Sequence, residues 1–224
     1  VHIVVANDVT QIIGIFFGRG DGSFAREMSY PTGYDSYPTC VAVADLNGDR
    51  QSDIAVANYG VDNVAIYFGR GDGTFASQVI HATGFRSRPH SIAIADFNND
   101  NQPDIAVALS GHKSVGVLYG QRNGSFGTMT QHPIRADVVP FHIAVGNFDG
   151  DPYQDIIVAN TPNDSICILV GDMNNTFVTQ LIYATGAGTQ PQQLAIGDID
   201  ADNRSDVVIA DTGYNTVHVL VGYS

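Results

Sequence analysis

A nine-residue pattern recurs four times in this chain at a fixed interval of 51 residues, and it constrains the fold more than any other feature. Its copies run Asp45–Asp53, Asp96–Asp104, Asn147–Asp155 and Asp198–Asp206. A period held without slippage over four copies implies a repeat architecture, in which one supersecondary unit stacks on its like. Each copy places oxygen-bearing side chains at its first, third, fifth and ninth positions. These are Asp45, Asn47, Asp49 and Asp53; Asp96, Asn98, Asp100 and Asp104; Asn147, Asp149, Asp151 and Asp155; and Asp198, Asp200, Asp202 and Asp206.

The spacing suits a hard cation. Ca²⁺ takes about 6–8 oxygen ligands at roughly 2.3–2.6 Å, and alternate residues of a tight loop can converge on one point. A backbone carbonyl at the seventh position (Gln51, Gln102, Tyr153 or Arg204) can join them, and the last Asp closes the shell. The start of the pattern is that of an EF-hand loop, which ends on a Glu at position twelve. Here that position holds Val56, Val107, Val158 or Ile209, so the loop runs into a strand. The sequence therefore predicts about four structural Ca²⁺ sites in strand–loop–strand settings. The competing account is that Asp, Asn and Gly serve only as turn formers. Recurrence of the same oxygen pattern in four loops weighs against it.

The net charge of -13 follows from the same loops, which hold thirteen aspartates. Four divalent ions would offset more than half of it. So acidic a chain lacks the basic patch that nucleic acid requires. Its single lysine, Lys113, gives no polybasic contact for a membrane surface. No apolar run approaches membrane-spanning length, so membrane insertion is not expected. Cys40 and Cys167 fall at different phases of the repeat and suggest no disulfide framework. Millimolar extracellular Ca²⁺ favours a secreted or cell-surface location. There, Asn123, Asn163, Asn174 and Asn203 would stand in glycosylation triplets of a glycoprotein, if the source is eukaryotic.

Each repeat reads as four short strands. Strand A is Val41–Ala44 with counterparts at Ile92, Ile143 and Leu194, and the acidic loop follows it. The second loop residue (Leu46, Phe97, Phe148 or Ile199) is apolar and is expected to plug the core. Strand B starts at Ile54, Ile105, Ile156 and Val207. Strand C ends on Gly, and a Phe at 24, 75, 126 and 177 leads into strand D. Period-two alternation without helical spacing indicates an all-β chain, a β-propeller of four-stranded antiparallel blades. The whole chain, 1–224, reads as one domain: a partial repeat 1–39, repeats 40–90, 91–141 and 142–192, and a partial repeat 193–224. Five blades, two of them three-stranded, would use every strand; part of a larger ring is the alternative.

The Phe-Gly…Gly-Asp-Gly-Thr-Phe turns and Asp-x-Asn-x-Asp-x-x-x-Asp loops resemble FG-GAP/VCBS-type repeats, such as those in the propeller of integrin α subunits. The resemblance covers essentially the whole chain. It implies that Asp45, Asn47, Asp49, Asp53 and their counterparts are calcium ligands. Asn147 departs from the pattern, which implies a weaker third site.

No Ser/His/Asp constellation, zinc motif or phosphate loop is present, so no enzyme is expected. Function is expected on the face opposite the loops, where the strand D–A linkers and B–C loops vary. They carry Tyr34, Tyr37, Tyr59, Phe85, Arg88, His90, Phe141 and Tyr214. Aromatics beside polar groups suit a glycan or protein ligand and a role in adhesion. The alternatives are a structural building block that self-assembles through edge strands, and the propeller domain of a polysaccharide-active enzyme. Arg19-Gly20-Asp21 and Arg70-Gly71-Asp72 sit in the repeat's own turn, where Asn123-Gly124 stands in the next copy; an adhesion receptor is their alternative reader.

Overall fold

The chain is represented by a computed structural model, which describes residues 2–135, 137–177 and 179–222. Eighteen strands form five antiparallel sheets among the described residues, with a single 3-10 turn at Thr161–Asn163. The first sheet holds β1 (His2–Asn7), β2 (Ile12–Phe17) and β3 (Met28–Pro31). The second holds β4 (Pro38–Ala44), β5 (Asp53–Asn58), β6 (Asn63–Tyr67) and β7 (Val79–Ala82). The third holds β8 (Pro89–Ala95), β9 (Asp104–Leu109), β10 (Ser114–Leu118) and β11 (Thr130–Pro133). The fourth holds β12 (His142–Gly146), β13 (Asp155–Asn160), β14 (Ser165–Val170) and β15 (Thr179–Ala184). The fifth holds β16 (Pro191–Gly197), β17 (Asp206–Asp211) and β18 (Thr216–Leu220). Each sheet is an up-and-down meander, the blade of a β-propeller.

Successive sheets pack through their inner strands: β1 on β4, β4 on β8, β8 on β12 and β12 on β16. No comparable packing joins the first and last sheets among the described residues. Four apolar clusters fill the four spaces between neighbouring sheets. The second strand of each inner sheet lies between two such clusters, and all six residues of β5, β9 and β13 are buried. Side chains alternate between the faces of a strand. Thus Ile54 and Val56 meet the preceding sheet while Ala55 and Ala57 meet the following one. Across that second space, Ile105, Val107 and Leu109 fill the room the alanines leave. Large residues facing small ones let two twisted sheets approach to native packing density.

The end sheets lack a neighbour on one face. Their exposed apolar residues follow from this: Ile3 and Val5 on β1, and Val217, Val219 and Leu220 on β18. The same cause corrects one expectation. Leu46 and Phe97 plug the core as the sequence suggests, but Ile199 is 53% exposed, because no sheet packs beyond the fifth. Pro38, Pro89 and Pro191 each open an inner strand, where a missing N–H is tolerated. A register shift follows each of them.

Candidate metal centre

The ninth residue of each acidic loop is a buried latch. Asp53 begins β5 opposite Ala44, so it closes the hairpin that carries the loop. One of its oxygens accepts the amide of Leu46 at 2.8 Å and the other that of Gly69, also at 2.8 Å. The repeats copy this geometry. Asp104 takes Phe97 and Gly120, Asp155 takes Phe148 and Gly171, and Asp206 takes Ile199 and Gly222, all within 2.7–2.9 Å. Each carboxylate therefore ties the acidic loop to the glycine that ends the third strand, and both connections lie at one end of the blade. All four carboxylates are buried. Burial pushes Asp104 up to about 6, against the pull of its two amides, and raises Asp53 and Asp155 for the same reason. Asp206 lies in the end sheet, where fewer atoms surround it. There the Gly222 and Ile199 amides prevail and hold its carboxyl below the usual range.

The first and fifth positions shape the loop backbone. Asp45 accepts the amides of Gly48, Asp49 and Arg50, and Asp49 accepts that of Gln51. Asp96 with Asp100, and Asp198 with Asp202, act in the same way. Two left-handed residues make this wrap possible: Gly48 and Arg50, Asn99 and Asn101, Ala201 and Asn203. The third loop differs. Pro152 stands at the second of these positions, and its ring fixes φ near −65°. Asn147 accepts the Gly150 amide at 2.8 Å, as Asp45 accepts that of Gly48, but its nitrogen donates to the Asp151 carbonyl. Tyr153 donates its amide to Asp151, as the other seventh-position residues do to theirs.

The fourth loop brings its acids together. Carboxylate oxygens of Asp198, Asp200 and Asp206 all lie within 4.8 Å of one another, the one such group among the described residues. Asp202 meets Arg204 at 3.8 Å. Desolvation, then the charge of Asp202, raises the Asp200 carboxyl. In the first two loops Asn47 and Asn98 turn their amide nitrogens onto Asp49 and Asp100. The sequence-predicted donors therefore share one rim per loop, and the Asn47 and Asn98 oxygens accept the amides of Asp49 and Asp100 as the Asp200 oxygen accepts that of Asp202.

The opposite end of the blades has its own latches. Asp62 accepts the amides of Arg86 at 2.6 Å and Arg88 at 2.9 Å, and Asp164 takes Gly188 and Gln190 in the same way. Inside the linkers, hydroxyls pair at 2.6–2.7 Å: Thr32 with Ser36, Thr83 with Ser87, Thr185 with Thr189. Sequence reading missed both devices, although the hydroxyl pairs Thr32–Ser36 and Thr83–Ser87 stand one repeat apart and Asp62 and Asp164 two repeats apart.

A hollow of about 370 Å³ opens on this face, lined by Asp8, Tyr37, Thr39, Tyr59 and His90. His90 meets Tyr59 edge-on and stacks on Phe141 at 3.8 Å, and the Arg88 guanidinium covers Tyr59. Equivalent positions in the other repeats hold Asp8, Ser110, Thr161 and Thr212 for Tyr59, so the arrangement occurs at one place. Tyr34, Phe85 and Tyr214 stand far out in solvent. On the loop face, the Asp21 and Asp72 carboxylates of the two Arg-Gly-Asp turns are taken by Ser23 and Thr74.

A model of the FG-GAP-like repeat matches residues 3–56, 45–107 and 147–209, together well over half of the chain. No curated protein matches in sequence. Among solved structures, a protein from Lactobacillus plantarum is 19% identical with a TM-score of 0.70; the match covers 97% of this chain and 63% of that one. Virginiamycin B lyase from Staphylococcus aureus is 10% identical with a TM-score of 0.69, covering 98% and 63%. An Agrocybe aegerita lectin described as recognising non-reducing terminal N-acetylglucosamine is 17% identical with a TM-score of 0.57, covering 99% and 66%. These likenesses show a shared fold. The chain spans 59–66% of the length of the first structures it matches.

Proposed function

Because the chain belongs to the FG-GAP-like repeat family, we propose that it is a calcium-stabilised binding module that works outside the cell or on its surface. The observation that carries the metal half is the convergence of Asp198, Asp200 and Asp206. Oxygens up to 4.8 Å apart fit opposite sides of an ion that binds each at about 2.4 Å. All the donors are oxygen, the set that hard Ca²⁺ takes. A carboxylate oxygen that already accepts one amide keeps a lone pair for the ion. The ion would brace the loop and relieve repulsion among its acids; it is given no catalytic part. The other three loops would complete their shells through Asn47, Asn98 or Asn147 and the seventh-position carbonyls.

The ligand half rests on the hollow at Tyr37, Tyr59 and His90. Aromatic faces bordered by Asp8 and Thr39 suit one sugar ring, or an extended protein side chain, at a single asymmetric site. A lectin among the structural neighbours makes a glycan the first ligand class to test. Catalysis has less support, since the lyase neighbour shares only the fold.

Thermal unfolding with and without chelator, beside calorimetric titration of Ca²⁺, tests the first half. A ligand bound only by the native state stabilises it by about 2.7 kcal/mol at a hundredfold excess over Kd. An unchanged transition with no heat of binding would leave the loops as turns alone. A glycan array at millimolar Ca²⁺, with Tyr59→Ala as control, tests the second. Silence across the array, or binding that the substitution leaves intact, would count against a sugar in the hollow.

A further inference from the structure

The turn after the third strand of a blade is held by one of its own side chains. In the first two blades Asp21 and Asp72 accept the amide and the hydroxyl of Ser23 and Thr74. Asn123 takes this place in the third blade: its oxygen accepts the Ser125 amide at 3.0 Å and the Ser125 hydroxyl at 2.7 Å. An amide differs from a carboxylate in carrying a nitrogen on its other arm. Asn123 is exposed and opens the triplet Asn123-Gly124-Ser125, an acceptor sequence for N-linked glycans.

The same turn borders a hollow. Between the second and third sheets about 450 Å³ stands open, within the range of small-ligand sites, with walls that include Phe68, Val79, His81, Ser125, Phe126 and Asn123 itself. The next space is closed at the matching place. There Tyr119 donates its hydroxyl to the Asn175 carbonyl at 3.3 Å, and Phe177 is 4% exposed. One repeat earlier those two positions hold Phe68, which has no hydroxyl, and Gly124. Gly124, left-handed, lies so close to Asn47 of the second sheet that a side chain there would collide with it. The turn is thereby fixed over the hollow, with Asn123 on its rim.

We propose that Asn123 carries an N-linked glycan whose first N-acetylglucosamine rests in this hollow, an inference that rests on the extracellular setting proposed above. In the transfer, the Asn123 side-chain nitrogen attacks C1 of a lipid-diphosphate-linked oligosaccharide. A C–N bond forms, the C1–O bond to the diphosphate breaks, the nitrogen releases one proton, and the lipid diphosphate leaves. The fold then decides where the sugar rests. Phe68, Val79 and Phe126 offer apolar faces to its C–H groups, and His81 and Ser125 offer hydrogen-bonding groups to its hydroxyls. The other three triplets have no such seat. Asn163 donates its nitrogen to the Asp137 carbonyl, Asn174 stands in the turn that Tyr119 closes onto, and Asn203 lies inside an acidic loop. A glycan at Asn123 also leaves the hollow at Tyr59 and His90 free.

The test uses the 224-residue chain secreted from a eukaryotic host behind a cleaved signal sequence, so that entry to the secretory pathway is supplied. Peptide mapping by mass spectrometry should find a glycan on Asn123. Asn123→Asp is the matched bare chain, since Asp72 fills the same place one repeat earlier and makes the same turn bonds. The bare chain should unfold about 2–4 °C lower, the shift that the loss of one modest contact gives in a chain of this size. It should also exchange amide hydrogens faster in β7 and in residues 123–127. Phe68→Tyr, which supplies the hydroxyl that Tyr119 carries, should shrink the difference between glycosylated and bare chains. Asn174→Gln should leave the transition unchanged. An unmodified Asn123 in the secreted chain would overturn the site. Equal melting and exchange of the glycosylated and Asn123→Asp chains, or the same loss from Asn174→Gln, would overturn the hollow as the sugar's seat. Because the signal is supplied, neither result bears on the extracellular setting, which calcium titration of the same protein addresses separately.

Discussion

The Asp104 carboxylate accepts the amide of Gly120 at 2.7 Å, across sixteen residues and a whole hairpin. Its second oxygen holds Phe97 at 2.9 Å. One side chain thus joins the start of the acidic loop to the end of the third strand, and Asp53, Asp155 and Asp206 do the same in their blades. Both amides are buried, so their acceptor cannot be replaced by water. Asp104→Ala is expected to cost about 3 kcal/mol, since each unsatisfied buried amide costs about 1–3 kcal/mol. Urea unfolding in chelator separates this from any metal effect. A variant as stable as the parent chain under those conditions would remove the latch.

The third loop is expected to be the weakest metal site. Asn147 supplies one oxygen without charge, and Pro152 prevents the wrap seen in the other loops. Asn147→Asp should tighten that site about tenfold or more, because a further carboxylate beside a divalent ion adds Coulomb attraction at short range. Calorimetry should then resolve four comparable sites in place of three and a weaker one. An isotherm identical to that of the parent chain would mean that residue 147 does not touch the ion.

The fold was legible because period and strand alternation act locally, and each blade repeats the same local rules. Strands B and C fell where alternation placed them, to within a residue of β5 and β6. Donor positions in the loops were legible as a pattern, yet their convergence was not. The third residue accepts the fifth-residue amide in both the first and fourth loops, but Asn47 brings one neutral oxygen and a nitrogen that donates to Asp49, while Asp200 brings two charged oxygens. The dual use of Asp53 as latch was hidden as well, because the amide of Gly69 is sixteen residues away in sequence. The hollow was illegible for a related reason: Asp8, Tyr37, Tyr59 and His90 come from two repeats and meet only in the assembled arc.

Acid should weaken the chain through its buried histidines. Burial lowers the pKa of His81, His90, His132 and His142, and the charge of His90 further opposes protonation of His142. The unfolded chain therefore binds protons near pH 6.5 that the folded chain refuses. Their neutral forms contribute full stability above that pH, and the contribution is lost as pH falls below it toward the lowered native values. His132 packs on Phe177 with Nε2 buried and unpartnered. His132→Phe should add about 1 kcal/mol at neutral pH by removing that atom, and more at pH 5.5. Denaturant midpoints at pH 7.5 and 5.5 check this; a difference between chains that is the same at both pH values would exclude His132 as a contributor.

The hydroxyl pair Thr83–Ser87 offers a test of how the repeat tolerates change. Its oxygens lie 2.6 Å apart and buried in the linker, as in the pairs Thr32–Ser36 and Thr185–Thr189. The third linker holds Ile134 and Val138 at the same two places, both buried. Either pair satisfies the site: two hydroxyls by bonding to each other, two aliphatic groups by needing no bond. A mixed pair breaks that bond: Ser87→Val strands the Thr83 hydroxyl, and Thr83→Ile leaves Ser87 only its longer bond to Asp62 at 3.4 Å. Thr83→Ile and Ser87→Val alone should each cost about 1–2 kcal/mol, and the double substitution should recover most of the loss. The coupling energy from the four chains is the reading that matters. Additive losses would mean that the linker is held by Asp62 and the backbone, and that the pair fills space only.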